Sequence, residues 1–225
     1  MKLTEILNKE KFSLSFEVFP PKNDTSFQNV KSAVEEIAKL NPSFVSVTYG
    51  AGGGAKSYTL DMAKAVNEKS DVPVLAHLTC VSSTKEAVRQ KISEMRSCGV
   101  ENVLALRGDI PENTEKKDIE KWDYRYAADL VRELKQSNAD FCIGGACYPE
   151  VHPESENQKE DIRRLKEKVE SGCEFLTTQM FFDNNLLYNF LYKIREAGIT
   201  VPVIAGIMPI TNKNQVERAA GLSGA

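Results

Sequence analysis

Several ionisable side chains of this sequence lie inside or directly after apolar segments, where they could carry acid–base chemistry. Glu17 stands within the segment SFEVF, in which desolvation is expected to raise the pKa of a carboxyl. A carboxyl with a raised pKa suits a general acid near neutral pH. The structural alternative is a core carboxylate paired with a lysine or an arginine. The sequence thus makes Glu17 a candidate catalytic acid.

Further polar groups recur at the ends of the apolar segments that follow. Taken alone, His77 is equally a hydrogen-bonded core histidine, and Gln179 could serve strand packing only. Arg107 and Asp109 could form a simple ion pair. The remaining members of the set are Thr48, Tyr49, Thr79, Tyr148, Glu150 and His152. Because the active sites of α/β barrels lie at the C-terminal ends of the strands, the set predicts an active site at one rim.

Two loops between these segments could hold a ligand. The run AGGG at 51–54 resembles a phosphate or ligand cradle, and a plain flexible loop explains it equally well. The segment 108–122 is long for a link between a strand and a helix. Loops of this length are often lids or binding loops, and a charged, solvated loop is the alternative.

The apolar segments themselves predict strands that are buried on both faces, as in an all-parallel sheet. They are near-continuously apolar and rich in Val, Ile, Phe and Thr. The predicted strands span 13–19, 44–50, 74–80, 102–108, 141–148, 175–182 and 201–208.

Amphipathic helices are predicted between the strands, from apolar residues that recur every three or four positions. Ser83 and Glu86 form a predicted capping box at the start of one of them. The apolar faces are Val30, Val34, Ile37 and Leu40; Val88, Ile92 and Met95; Leu130 and Leu134; and Leu187, Leu191 and Ile194. Gly99, Gly172 and Gly198 each follow a helix and are expected to end it in the left-handed conformation.

Strands alternating with helices predict a parallel α/β fold. Seven strands about 30 residues apart favour a (β/α)8 TIM barrel over a doubly wound sheet, and no G-x-G-x-x-G follows the first strand. Residues 214–225 are predicted to form a final helix, so the eighth βα unit is missing. We expect residues 1–225 to be one C-terminally incomplete barrel domain, unstable or oligomeric if the chain ends there.

Composition excludes several classes of function. The net charge of -3 and the interspersed charges leave no footprint for nucleic acid or an anionic membrane. No apolar run approaches about 20 residues, and the charged N-terminus lacks a signal peptide, so a cytoplasmic location is the default. The five cysteines are expected to be buried reduced thiols. The pair His77 and Cys80 is too few ligands for zinc, so no metal site is predicted.

Taken in order, seven segments resemble the methylenetetrahydrofolate reductases across essentially the whole chain. They are SFEVFPP (15–21), FVSVTYGAGG (44–53), AHLTC (76–80), LALRGDIP (104–111), YPEVHPE (148–154), TTQMFFD (177–183) and GIMPI (206–210). The resemblance implies a flavin-binding catalytic barrel with noncovalent FAD. It also implies ping-pong hydride transfer from NADH, NADPH or another donor to 5,10-methylenetetrahydrofolate, a step of one-carbon metabolism that feeds methionine biosynthesis.

The same resemblance implies roles for individual residues. Glu17 matches the general acid that helps open the five-membered ring of the folate. Asp109 matches the aspartate between flavin and pterin, where it favours a cationic iminium. The residues expected to bind the substrate are Asp109, Gln179 and Gln215. Those expected to bind the flavin are Thr48, Tyr49, Ala51, His77, Arg107, Gly108, Asp109, Tyr126, Ala127, Tyr148, His152, Asp161 and Lys168.

Arg107 and Lys168 are suited to the phosphates of the cofactor. Asp161 and Lys168 are seven positions apart and are expected on one face of a helix. A homo-oligomer or a partner subunit is also expected. Two alternatives stay open: an inactive barrel that serves as a subunit or scaffold, and another barrel enzyme such as an aldolase or methyltransferase. The latter would need a Schiff-base lysine at a strand end or a cysteine-rich zinc site, and the sequence shows neither.

Overall fold

The computed structural model describes residues 1–20, 27–49, 58–111, 114–216 and 219. The chain divides into two compact units, Met1–Ile143 and Gly144–Ala225. The predicted glycine cradle, with Ala51, lies outside the described residues.

The first unit alternates strands and helices, as the apolar periodicity predicts. Its strands are β1 (Ser15–Val18), β2 (Phe44–Val47), β3 (Val74–Thr79) and β4 (Asn102–Leu106). Its helices are α1 (Leu3–Lys9), α2 (Phe27–Ala38), α3 (Tyr58–Lys69), α4 (Lys85–Ser97), α5 (Lys116–Ile119) and α6 (Ala127–Gln136). The short helix α5 lies inside the long segment 108–122.

The strands of this unit are parallel and pair in chain order. Glu17 on β1 is the register partner of Ser46 on β2, and His77 on β3 is the partner of Leu104 on β4. The next strand, β5 (Cys142–Cys147), begins in this unit, and the N–H of Cys142 donates to the carbonyl of Glu101. The predicted parallel α/β fold is confirmed here.

Helix α4 shows where local prediction succeeds and where it is wrong. Val88, Ile92 and Met95 are buried along one face, as expected. The cap, however, is Thr84, whose hydroxyl accepts a 3.2 Å hydrogen bond from the N–H of Ala87. Thr84 has the extended backbone of an N-cap residue, whereas the Ser83 hydroxyl donates to the carbonyl of Val81. The helix therefore starts one residue later than predicted.

Two other local features of the first unit differ from expectation. Leu40, predicted on the apolar face of α2, is 68% exposed because the helix ends at Ala38. Helix α1 was not predicted; it buries Leu3 and Ile6, and the N–H of Leu3 donates to the side-chain oxygen of buried Asn102. A short helix with two buried residues gives too little periodicity to be recognised in sequence.

The second unit continues the same alternation. It contains the rest of β5, then α7 (Gln158–Glu170), β6 (Phe175–Thr178), α8 (Asn184–Glu196) and β7 (Val203–Ile204). Strands β5, β6 and β7 are parallel. A Cβ atom on Gly144 would lie 2.3 Å from Cζ of Phe175, so this strand position accepts only glycine. Residues 213–216 are helical, and most of the predicted final helix lies outside the described part.

All three glycines predicted to end helices adopt a positive φ: 71° at Gly99, 122° at Gly172 and 84° at Gly198. The seven strands occur where predicted but are shorter, with two to six residues each. They end just before Thr48, Arg107 and Tyr148, so these residues follow their strands directly. Among the described residues, no helix is long and apolar enough to cross a membrane.

Candidate active site

Three polar side chains of the first unit meet on neighbouring strands. The Glu17 carboxylate on β1 lies 3.8 Å from Nε2 of His77 on β3, measured from Oε2. The hydroxyl of Ser46, on the strand between them, lies 2.8 Å from the same ring nitrogen. Register pairing of Glu17 with Ser46 places both side chains on one face of the sheet. The structure thus brings together two predicted residues and one that the sequence reasoning missed.

Burial controls the protonation of this cluster. His77 is 5% exposed, and desolvation lowers its pKa from 6.5 to about 4, so the ring is neutral near pH 7. Glu17 keeps 47% of its side chain exposed, yet partial burial still raises the pKa of its carboxyl. The raised pKa agrees with the expectation from its apolar strand. A carboxyl beside a neutral imidazole can donate a proton or a hydrogen bond.

The residues after β2 are fixed to their surroundings. The N–H of Thr48 donates to the carbonyl of Val18, and the carbonyl of Thr48 accepts a 2.9 Å hydrogen bond from the hydroxyl of Thr59. The ammonium of Lys91 lies 4.7 Å from the ring centroid of Tyr49, a cation–π distance. Thr59 and Lys91 belong to helices and carried no signal in the sequence.

The turn after β4 is shaped by backbone contacts. The carbonyl of Arg107 accepts hydrogen bonds from the N–H groups of Cys80 and Val81, at 3.1 and 2.7 Å. Gly108 has φ of 90°, and a Cβ atom there would lie 2.9 Å from Cγ1 of Val81. Only glycine fits this position. The Arg107 guanidinium donates to the carbonyl of Gly108, and the following Asp109 is exposed.

Tyr126 and Ala127 stand at the start of helix α6. The carboxylate of Asp129 accepts from the N–H groups of Arg125 and Tyr126, both at 2.9 Å, and so caps the helix. The Tyr126 side chain is 40% exposed. Its flavin-binding role stays a prediction.

In the second unit, the loop between β5 and α7 is organised around Asp161. Its carboxylate accepts from the N–H of His152 at 3.2 Å and from the hydroxyl of Ser155 at 3.5 Å. The ring of Tyr148 stacks edge-on against His152, with centroids 4.5 Å apart. Burial raises the pKa of Asp161. His152 thus contacts both Tyr148 and Asp161, and all three are predicted site residues.

Lys168 is held differently from a surface lysine. Its ammonium donates a 2.6 Å hydrogen bond to the carbonyl of Ala146 on β5. Its stem passes over Gly145, where a Cβ atom would lie 2.7 Å from Cδ of Lys168. Burial lowers the pKa of Lys168, and the charge of Asp161 opposes that shift. This interaction fits the expectation that Asp161 and Lys168 share one face of α7.

The two glutamines predicted to bind substrate are bonded to nearby groups. The side-chain oxygen of Gln179 accepts from the N–H of Met180 at 2.9 Å. That of Gln215 accepts from the N–H and the hydroxyl of Thr211, at 2.7 and 3.0 Å. Within the described ranges, neither amide nitrogen donates a hydrogen bond. Their substrate contacts stay predictions.

Neither metal nor disulfide chemistry emerges in the described part of the chain. No cluster of three or more potential metal ligands occurs there. Cys80, Cys142, Cys147 and Cys173 are buried thiols that form no disulfide, as expected, and Cys98 is partly exposed. Burial raises the pKa of Cys80 and of Cys147 to about 12, so both are unreactive thiols.

Comparisons with known proteins give one consistent result. A family model described as methylenetetrahydrofolate reductase matches residues 2–225. The 5,10-methylenetetrahydrofolate reductase of Salmonella typhimurium is 37% identical over 211 residues, covering 94% of this chain and 69% of the relative. The Arabidopsis thaliana protein named methylenetetrahydrofolate reductase (NADH) 1 is 33% identical over 230 residues, covering 98% of this chain and 39% of the relative.

Solved structures agree on the fold. A Clostridium thermocellum protein that binds two copies of 5-methyl-5,6,7,8-tetrahydrofolic acid superposes with a TM-score of 0.67 at 14% identity, covering 99% of this chain and 76% of its own. Oxaloacetate acetylhydrolase superposes with a TM-score of 0.63 at 14% identity, covering 99% and 77%. At such identities the likeness bears on the fold alone.

Proposed function

Since this chain belongs to the methylenetetrahydrofolate reductase family, and so to a family of oxidoreductases, we propose that it reduces 5,10-methylenetetrahydrofolate to 5-methyltetrahydrofolate with bound FAD. The proposed cycle is ping-pong: the donor leaves before the folate binds. NADH or NADPH is the proposed donor. The word NADH in the names of the Arabidopsis and maize relatives supports the former.

The observation that carries the proposal is the raised pKa of Glu17 beside a neutral His77. Opening the five-membered ring of the folate requires a proton on the departing nitrogen. A carboxyl with a raised pKa can supply this proton, because it stays protonated to a higher pH than usual. The neutral imidazole 3.8 Å away carries no positive charge, so it does not stabilise the ionised form of the carboxyl. Glu17 is therefore the proposed general acid.

The chemistry of the donor set fits a flavin. In the first unit, Thr48, Tyr49, Arg107, Gly108, Tyr126 and Ala127 follow strands or begin a helix, where backbone N–H groups and side chains can reach a ligand. In the second unit, His152 stacks on Tyr148 and donates to Asp161, and Lys168 donates to the carbonyl of Ala146. When bound, FAD would supply the hydride transfer that links oxidation of the donor to reduction of the folate.

Individual residues have proposed tasks toward these ligands. Arg107 and Lys168 would hold phosphate groups, and His77 would contact the flavin as a neutral ring. Asp109, whose carboxylate is exposed, would bind the pterin and favour the cationic iminium. Gln179 and Gln215 would use their amide nitrogens to bind substrate.

The fold, the location and the assembly of the protein belong to the same proposal. We propose a single (β/α)8 barrel domain acting in the cytoplasm as a homo-oligomer or with a partner subunit. The parallel strands of each unit and the likeness to longer solved chains support the barrel. The alternative is an inactive barrel that serves as a scaffold; the joint presence of Glu17, Asp109 and Gln179 argues against it.

One experiment separates the enzyme from the scaffold. The purified protein is loaded with FAD and mixed anaerobically with NADH or NADPH, and the yellow absorbance is followed. Bleaching by the donor and recovery on adding methylenetetrahydrofolate would support the reductase. A protein that takes up no FAD would refute it.

A further inference from the structure

Ser46 is a buried polar residue with no assigned role in the proposed site. It lies at the centre of β2, 7% exposed, between the strands that carry Glu17 and His77. Its hydroxyl is 2.8 Å from Nε2 of His77, whereas the Glu17 carboxylate is 3.8 Å from the same atom. Two groups therefore approach one nitrogen, and the hydroxyl is the one within hydrogen-bonding distance.

A neutral imidazole has one protonated and one unprotonated nitrogen, so the contact with Ser46 bears on the tautomer. A buried hydroxyl proton needs an acceptor, and Nε2 is the acceptor that the structure offers. If Ser46 donates, Nε2 carries no proton and Nδ1 carries it. Nε2 then accepts the hydrogen bond from Ser46 and has no proton to donate to Glu17.

We propose that Ser46 is a positioning residue for the general acid: its hydroxyl donates to Nε2 of His77, fixes the Nδ1–H tautomer and so withholds that nitrogen from Glu17. Without the hydroxyl, Nε2 can carry the proton, and this N–H group can donate a hydrogen bond to the Glu17 carboxylate. That hydrogen bond would stabilise the charged form of the acid. The tautomer stands on geometry alone, and its catalytic consequence rests on the proposed function.

The register positions next to this cluster on β3 and β4 are apolar. They are Leu75, the partner of Ser46 on β3, and Leu104, the partner of His77 on β4. Within the described residues, Glu17 and His77 are the titratable groups of this cluster, and burial shifts the pKa of each. Ser46 is thus the neutral group that discriminates between the two tautomers.

The tautomer can be measured directly, because the chain has only two histidines. The ¹⁵N chemical shifts of the imidazole nitrogens are recorded for the FAD-loaded protein near pH 7, and the His152→Gln variant assigns the two rings. We expect unprotonated Nε2 in the wild type and in Ser46→Thr, which keeps the hydroxyl. We expect protonated Nε2 in Ser46→Ala. A protonated Nε2 in the wild type would overturn the proposal, and this measurement needs no variant of Ser46 that folds.

The catalytic consequence is read from the pH profile of folate reduction in a single turnover. Ser46→Ala should move the pKa that governs this step to lower pH, with a rate loss of roughly tenfold for each unit at pH values above it. Ser46→Thr should restore the profile. An unmoved profile in Ser46→Ala would overturn the positioning role. A third outcome separates the two proposals: the tautomers are as expected, but Glu17→Gln reduces folate normally. That result would overturn the proposed general acid and leave the tautomer assignment unaffected.

Discussion

The carboxylate of Glu17 and the ring of His77 lie 3.8 Å apart without forming an ion pair, since burial lowers the pKa of His77 to about 4. A protonated histidine at this distance would favour the charged carboxylate and lower its pKa. The neutral ring does not, and the pKa of Glu17 stays raised. The chemistry proposed for Glu17 depends on this relationship, and so do two of the predictions below.

Replacing Glu17 with Gln should separate the two halves of the cycle. The amide cannot donate an acid proton, so reduction of the folate should fall about 10²–10⁴-fold, the range typical of general acids. Reduction of the flavin by NADH or NADPH should persist, because hydride transfer to the flavin needs no proton from this side chain. Stopped-flow absorbance of each half-reaction measures both rates. Equal losses in the two halves would rule out the role, and the exposed Glu170→Gln serves as the control.

His77 should make the stability of the protein depend on pH. Its pKa is lowered from 6.5 to about 4. Between these two pH values the imidazole binds a proton in the unfolded chain but not in the folded one. Stability is therefore complete above pH 6.5 and is lost as the pH falls toward 4, by about 3 kcal/mol. Urea unfolding at several pH values measures the effect.

The raised pKa of Glu17 acts in the opposite direction, so the comparison of variants isolates the histidine. His77→Asn should flatten the stability profile between pH 6.5 and 4 relative to the wild type. His152→Asn should keep the slope. If both variants keep the wild-type dependence of stability on pH, burial of His77 is not the cause of that dependence.

Gly108→Ala should destabilise the protein more than Gly99→Ala does. Both glycines have a positive φ, of 90° and 71°, so each alanine would introduce backbone strain of about 1 kcal/mol or more. Only at Gly108 would the added Cβ also meet a neighbour, Cγ1 of Val81 at 2.9 Å; at Gly99 nothing lies within 4 Å. We expect a further loss of about 1–3 kcal/mol at Gly108, measured as the free energy of unfolding. Equal losses would show that the turn relaxes.

Lys168→Met should weaken flavin binding while leaving the fold intact. Methionine preserves much of the apolar stem that passes over Gly145 but cannot donate to the carbonyl of Ala146 or bind a phosphate. We expect the dissociation constant of FAD to rise about tenfold, the equivalent of one charge-assisted hydrogen bond. Quenching of flavin fluorescence measures it.

The matched control is Lys166→Met, on the same helix and exposed. It removes an identical charge from a position that makes no strand contact. A similar loss of affinity in the two variants would mean that general electrostatics, and not the position of Lys168, holds the cofactor.

The amino-acid order was enough to predict the parallel α/β arrangement, because buried strands and helix ends leave local signals. The apolar segments located the strands, and glycines such as Gly99 and Gly198 marked where helices end. Glu17 was recognised as a candidate acid because its neighbours in the chain are apolar. These properties depend on residues close in sequence, which is why they could be predicted.

Other features required the pairing of distant strands. Ser46 stands alone in an apolar segment and became meaningful once the register set it beside Glu17 and within 2.8 Å of His77. The bond from Lys168 to Ala146, 22 positions apart, was likewise beyond local patterns. Register and side-chain direction arise from packing across the sheet, so the neutral state of His77, and with it the acidity of Glu17, was decided by the folded arrangement.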